Sequence, residues 1–294
     1  MGRTYKYGLI LSLLIGLTGC NPYKQDSFQP QYSVQTYLVA NDPMPSIRLV
    51  KTLPANGSTS SSEVSGAHVT VSEVDAEGSV VQAFSYKYDG GTSYSPMVSS
   101  TVEPGYTYKL NIDVPSDNQP IQAQCIIPGA FQVKLAGSDT EKYQGGSGFN
   151  LLSTESKYPG RGAYYVIAAV AQQPDSSNLT PYFLNKVEND SYTPTNSLRK
   201  ISSRIFNQGD FKTDTQGNPI IPVPWDIFAF YGVNQLIVYT LDDNTYDFLR
   251  SLDVQYGSTQ VTPGQLYNLI YHVKGGIGLF GGLATDTVMV TVTR

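Results

Sequence analysis

Apolar and polar residues alternate along most of this chain, and the clearest run is Tyr106 to Val114. Tyr108, Leu110, Ile112 and Val114 fall on one side, and Thr107, Lys109, Asn111 and Asp113 on the other. A period of two predicts a half-buried strand. The run is entered through Glu103-Pro104-Gly105, where proline presets the first turn residue and glycine accepts the positive φ of a type II turn. Similar runs precede it. Tyr32 to Ala40 aligns Val34, Thr36 and Leu38, Ser46 to Leu53 aligns Ile47 and Leu49, and Ala67, Val69 and Val71 oppose His68, Thr70 and Ser72. The turn Asp75-Ala76-Glu77-Gly78 launches a return strand from Ser79 to Tyr88. Short strands separated by turn residues predict a β-sandwich over residues 31–128.

Residues 129–294 keep the β pattern less regularly. Phe131 to Leu135, Ala163 to Ala171, Lys200 to Phe206, Gln235 to Leu241, Gln265 to Val273 and Thr287 to Thr293 read as strands. One helix is expected, roughly Thr245 to Tyr256. Asp243 or Asn244 can cap it, and Tyr246, Leu249 and Leu252 recur at helical spacing. The apolar-poor stretches 55–65, 136–148 and 172–198 read as surface loops. The expected fold class is all-β: an N-terminal β-sandwich, then a second β-rich domain with one short helix.

Ahead of the first strand the pattern changes. Arg3 and Lys6 precede an uncharged run from Gly8 to Leu17, and Leu17-Thr18-Gly19-Cys20 closes it. A positive start, an apolar middle and small residues at the end form the layout of an export signal. About ten apolar residues reach roughly 15 Å as a helix, half of a bilayer core, so the run is a poor permanent anchor. A cysteine directly after Leu-Thr-Gly resembles the lipobox of bacterial lipoproteins. That resemblance implies that residues 1–19 are a signal peptide and that Cys20 is acylated and begins the mature chain. Residues 20–30, with Pro22 and Pro30, then read as a polar tether, roughly 30 Å long if extended.

Composition sharpens this picture. Tyrosine occurs 22 times, beside many Thr, Ser, Val and Gly, which reinforces the β reading. The net charge is −5, and loss of Arg3 and Lys6 with the leader makes the mature chain more acidic still. Apart from Arg199-Lys200 the basic residues are scattered, which disfavours nucleic acid and anionic membrane surfaces as partners. With Cys20 acylated, Cys125 has no disulfide partner, and a chain this long buries a core without one. Cys125 shares a strand face with Ile121, Ala123 and Ile127, which marks a buried thiol rather than a nucleophile.

Several segments in order carry a wider resemblance. They are Tyr37-Leu38-Val39-Ala40-Asn41-Asp42-Pro43, Ser65-Gly66-Ala67-His68-Val69-Thr70-Val71 and Pro104-Gly105-Tyr106-Thr107-Tyr108-Lys109-Leu110. Near the end come Tyr246-Asp247-Phe248-Leu249-Arg250-Ser251-Leu252 and the glycine-rich run Gly275 to Gly282. With the lipobox ahead of them, these pieces resemble the Bacteroidetes cell-envelope lipoproteins grouped as a domain of unknown function, number 4249. The Gly-Ala-x-Val-Thr-Val and Pro-Gly-x-x-Tyr-x-Leu pair also recurs in many transthyretin-like and carboxypeptidase-regulatory-like sandwiches, and the fold expected for 31–128 is a transthyretin/immunoglobulin-like β-sandwich. The family resemblance implies an outer-membrane lipoprotein, often encoded beside TonB-dependent transporters, with no catalytic residues to carry over; a TonB-dependent transporter is the expected partner. It leaves the medium-facing and periplasm-facing placements open.

The remaining chemistry is sparse. His68 and His272 fall in different expected domains, so a two-His zinc site needs an interface between them. No Gly-x-Ser-x-Gly elbow occurs. The run Gly275 to Gly282 lacks the Gly-Lys-Ser/Thr ending of a phosphate loop, and its glycines fit a bulge or close backbone packing. Asp210 to Gly217 is rich in oxygen donors, but Lys212 interrupts the calcium-loop pattern. Asp242 and Asp243 fit the start of the expected helix, where the dipole stabilises negative charge. These residues imply no metal site and no cofactor. Tyr164-Tyr165 and Tyr182-Phe183, beside long loops, are the candidate contacts for a glycan or peptide, since tyrosine offers an apolar ring and a hydroxyl. The expectation is a non-catalytic binding or accessory lipoprotein of the outer membrane. The alternatives are an envelope hydrolase using carboxylates such as Asp242 or Asp243, and a structural adhesin-like surface module.

Overall fold

In the computed structural model, residues 28–54, 62–115, 117–145, 148–189, 194–255 and 268–294 are described. Strand β1 (Tyr32–Val39) buries Tyr32, Val34, Thr36 and Leu38. It lies antiparallel to β2 (Ile47–Lys51). Next come β3 (His68–Val74), β4 (Val80–Gly90) and β5 (Ser93–Pro96), with β4 paired between β3 and β5, and β5 reaching back to β2. Strand β6 (Thr107–Asp113) then lies between β3 and β7 (Ile121–Ile126). As its alternation predicts, β6 buries Tyr108, Leu110 and Ile112 and turns Lys109, Asn111 and Asp113 outward.

The second half adds β8 (Val133–Leu135), β9 (Thr140–Lys142), β10 (Phe149–Ser153) and β11 (Tyr164–Ala171), then helix α1 (Pro181–Asn189). Short strands β12 (Lys200–Ser202), β13 (Phe206–Asn207), β14 (Lys212–Thr213) and β15 (Pro219–Val223) lead to the longer β16 (Gly232–Leu241). Helix α2 (Asp243–Gln255), β17 (Val273–Lys274) and β18 (Ile277–Thr293) close the chain. Among the described residues, fourteen strands share one sheet, in the order β12-β11-β16-β18-β1-β2-β5-β4-β3-β6-β7-β17, with β13 on β11 and β9 on β18. A second sheet has the order β14-β15-β10-β8. Among the described residues the chain is all-β with two α-helices.

Strand β18 ties the halves together. Its first part runs parallel to β1, with Ile277 to Leu283 opposite Ser33 to Val39. Its second part runs antiparallel to β16, from Leu283 opposite Leu241 to Val292 opposite Gly232. Strand β17 pairs with β7. The segments 31–128 and 129–294 thus share a sheet, and Gln31–Arg294 forms one compact unit. A single core cluster contains Val34, Leu49, Val71 and Tyr108 from the first segment and Tyr165, Ile167, Leu236 and Val290 from the second.

The glycine-rich run explains how β18 fits. Gly278 has a φ of 108°, and a Cβ there would collide with the Val34 carbonyl. A Cβ on Gly276 would come within 2.7 Å of the Tyr32 carbonyl oxygen, and one on Gly282 within 2.7 Å of that of Ile126. The run is therefore the turn into β18 and the strand's opening residues, whose glycines let three backbones approach one another closely.

Other elements depart from expectation. The stretch 172–198 is not all loop, because α1 forms within it. Pro181 stands at its first position, where a missing N–H costs nothing, and Phe183 anchors it against Leu179, Leu198 and Phe230. Within 136–148, β9 pairs in parallel with the end of β18. The strand expected over 265–273 reduces to β17, with 265–267 outside the described residues. The strand expected over 200–206 is interrupted at 203–205. The cap of α2 is Asp242, one residue earlier than expected: its Oδ1 accepts from the Thr245 amide at 2.8 Å, and its carbonyl accepts from Tyr246 N at 3.0 Å.

Candidate functional site

A cleft of about 840 Å³ lies over the outward face of β6 and β7 and against the start of α2. Register dictates its floor. Lys109 on β6 stands opposite Ser72 on β3 and Gln124 on β7. One step along, Asn111 stands opposite Gln122, and Gln122 opposite Lys274 on β17. Side chains on one face of a sheet recur every second residue, so these polar groups form two adjacent rows. Gln122 Nε2 donates to Asn111 Oδ1 at 3.0 Å, and Asn111 Nδ2 donates to Asp113 Oδ2 at 2.8 Å. Those two bonds fix the amide orientations in the second row.

The wall is built by the junction of β16 and α2. Asn244 Nδ2 donates to the carbonyls of Gln124 at 2.7 Å and Phe280 at 2.8 Å, pinning the helix start to both β7 and β18. Asp242 is 1% exposed. Burial raises its pKa to about 6, against the opposing pull of its hydrogen bonds from Thr245. Asp243 pairs with Arg161, Nε to Oδ1, at 2.7 Å. The Arg161 guanidinium lies over the rings of Tyr158 at 3.8 Å and Tyr164 at 4.1 Å, and its Nη2 donates to the Leu241 carbonyl at 3.0 Å. Tyr164 in turn stacks on Tyr246 of α2 at 3.9 Å. The Tyr158 hydroxyl accepts from the Asp243 amide at 3.2 Å, and burial raises its pKa. At the far wall His272 Nε2 meets Asp247 Oδ2 at 2.8 Å, next to Tyr271. Cys125 lies beneath the floor, with its thiol pushed up by burial.

The residues singled out from the sequence are scattered. Tyr164 belongs to the Arg161 stack. Tyr165, on the opposite face of β11, is fully buried, edge-on to Phe131, with burial raising its pKa to about 12. Tyr182 is exposed on α1, while Phe183 beside it is core. Tyr165 and Phe183 therefore pack the interior and are closed to a ligand. Cys20 lies outside the described residues. His68 is exposed on β3, while His272 lines the cleft. Asp214 spends its carboxylate on its own turn, accepting from Gln216 N, Asn218 N and Asn218 Nδ2. Asp242 and Asp243 do serve the helix start, and both line the cleft. The floor residues Lys109, Asn111, Gln122, Gln124 and Lys274 were legible only as the solvent side of alternating strands. Tyr158 and Arg161 gave no periodic signal at all.

A family model described as Domain of unknown function (DUF4249) matches residues 21–288. No curated protein matches the chain. Among solved structures, trypsin-activated alpha-2-macroglobulin from Escherichia coli aligns at 9% identity over 74% of this chain and 15% of that one, with a TM-score of 0.21. Salmonella alpha-2-macroglobulin reacted with methylamine aligns at 9% identity over 90% of this chain and 15% of that one, with a TM-score of 0.24. The Escherichia coli protein activated by porcine elastase gives 7% identity, 90% and 20% coverage, and a TM-score of 0.22. The chain thus spans a fifth or less of the length of these proteins.

Proposed function

The chain belongs to the family described as domain of unknown function 4249, and from that premise we propose that it is a non-catalytic, ligand-binding lipoprotein of the outer membrane. Cys20 carries the lipid, the cleft over β6 and β7 takes the ligand, and the protein serves as an accessory to a TonB-dependent transporter. The motive for the anchor is Leu17-Thr18-Gly19-Cys20 behind an uncharged run. The observation that carries the binding reading is the state of the two cleft carboxylates. Asp242 is buried and occupied as a helix cap, and Asp243 is paired with Arg161. A carboxylate pair working as acid and base needs both groups in reach of a substrate and water. What lines the cleft besides them are amides, lysines and tyrosine rings, which hold a ligand without transforming it.

The hydrolase alternative rests on Asp242, whose raised pKa suits a general acid. Its 1% exposure argues against contact with any substrate. Two experiments test the proposal. Mass spectrometry of the protein from its native membranes is expected to find an acylated Cys20 at the amino terminus, and a bare thiol there would remove the anchor. Affinity capture in mild detergent is expected to recover a transporter, and recovery of no envelope partner would end the accessory role.

A further inference from the structure

The charges around the cleft do not match those of the molecule. The chain as a whole carries −5. Yet the cleft's two acids are engaged, Asp242 as a cap and Asp243 with Arg161. Asp113 stands just beyond the second row and accepts from Asn111, while Asp247 shares a 2.8 Å hydrogen bond with His272. Lys109 and Lys274 line the cleft and, among the described residues, make no ion pair and no side-chain hydrogen bond. Two unmatched ammonium groups over a sheet face, on an acidic protein, form a local attractor for anions.

Spacing adds the next constraint. Lys274 lies two strands and two residues away from Lys109 in the register. At strand spacings of about 4.8 Å and rises of about 3.4 Å, their Cα atoms stand roughly 12 Å apart. Between them lie the amides of Asn111, Gln122 and Gln124. Each amide both donates and accepts, as each sugar hydroxyl does. Tyr158 and Tyr271 supply rings at the walls. A volume of about 840 Å³ falls in the range of small-ligand sites. An acidic peptide fits less well. It gains most by adding a strand to a long free sheet edge; β6 is already paired on both sides, by β3 and β7, and the edge strand at the cleft, β17, is two residues long.

We propose that this cleft binds an anionic oligosaccharide of roughly two or three uronate rings, with Lys109 and Lys274 receiving carboxylates and the amide rows receiving hydroxyls. This inference rests on the binding reading above. It assigns the ligand's chemical class, not the transporter partnership.

Isothermal titration of the full mature chain with trigalacturonate and trimannuronate, each against its methyl ester, tests it. The ester keeps every ring and hydroxyl and removes the charge. At least one acid is expected to bind, its ester roughly tenfold or more weaker, with affinity falling as salt rises. The double substitution Lys109→Gln and Lys274→Gln is expected to abolish the preference for acid over ester. Both lysines are turned outward and have no partner among the described residues, so the melting temperature should stay unchanged. Equal binding of acid and ester would overturn the anionic assignment while leaving a glycan-binding cleft. Binding of neither acid by the wild-type protein would overturn the inference outright, while the accessory role would still be decided by affinity capture. Unchanged acid preference in the double variant would show that the charge is read elsewhere.

Discussion

Asp242 shows how one side chain can serve structure and still respond to pH. Its carboxylate closes the first turn of α2 through the Thr245 amide. Burial lifts its pKa from 3.8 to about 6, so the folded protein keeps this proton at pH values where the unfolded chain has lost it. The stabilisation from this group is therefore complete below about pH 4 and disappears as pH rises through about 6. Asn is a cap of equal rank and carries no charge. Asp242→Asn should gain on the wild type as pH increases, with the two melting temperatures diverging between about pH 4 and pH 7. A constant difference over that range would mean that the carboxylate ionises normally. Gly278 offers a contrasting case, where the constraint is steric. Its φ of 108° is shared in kind by Gly105 at 84°, but a Cβ at Gly105 meets nothing within 4 Å, whereas one at Gly278 runs into the Val34 carbonyl. Gly105→Ala should cost about 1 kcal/mol in chemical denaturation. Gly278→Ala should prevent β1 and β18 from pairing and leave no cooperative transition.

At the scale of elements, the start of α2 is held by a column of rings and charge. Tyr158, Arg161, Tyr164 and Tyr246 lie face to face in sequence, and Arg161 also reaches Asp243 and the Leu241 carbonyl. The Asp243 side chain is 60% exposed, so its ion pair alone contributes little. The stacking and the carbonyl bond need a planar fork, which lysine lacks. Arg161→Lys should therefore destabilise the fold by about 1–2 kcal/mol, and Asp243→Ala by about 0.5 kcal/mol or less. Equal stability of Arg161→Lys and wild type would reduce the column to a surface contact. The sequence marked Tyr164 and Tyr246 singly but not the column, because Tyr158 and Arg161 sit between strands, where no period marks them. The strands themselves were legible wherever one face is buried and the other wet, as in β1, β3 and β6. That pattern failed for the first half of β18, where glycines replace the alternation, and for α1, which carries one buried residue, Phe183. It also cannot separate an outward face that meets solvent from one that meets a wall. Lys109, Asn111, Gln122 and Gln124 became a cleft floor only when α2 and β17 arrived beside them.

For the whole molecule, the decisive feature is that the first and last strands are neighbours. Strand β1 has β2 on one side and β18 on the other, and these partners lie at opposite ends of the sequence. A β-sandwich over 31–128, read from turn spacing alone, gives β1 no such second partner and leaves β7 without β17. The glycines that bring β18 against Tyr32, Val34 and Ile126 make this contact an intimate one between backbones. Without it, the polar groups along one side of β1 are unpaired, and the apolar side chains of the shared core face water. Residues 31–128 expressed alone should therefore lack a sharp thermal transition and bind hydrophobic dye, while 28–294 melts cooperatively. Refolding of 28–294 should also be slow, since pairing β1 with β18 requires closing nearly the entire chain before the contact stabilises anything. A 31–128 fragment that melts sharply would mean that the first segment is self-sufficient and that β18 only docks onto it. The cleft would then separate into parts as well, because Lys109, Asn111, Gln122 and Gln124 would remain with the fragment while Lys274, Tyr158 and the start of α2 would not. Whether that fragment retains any affinity for trigalacturonate would show how far the floor acts without its wall.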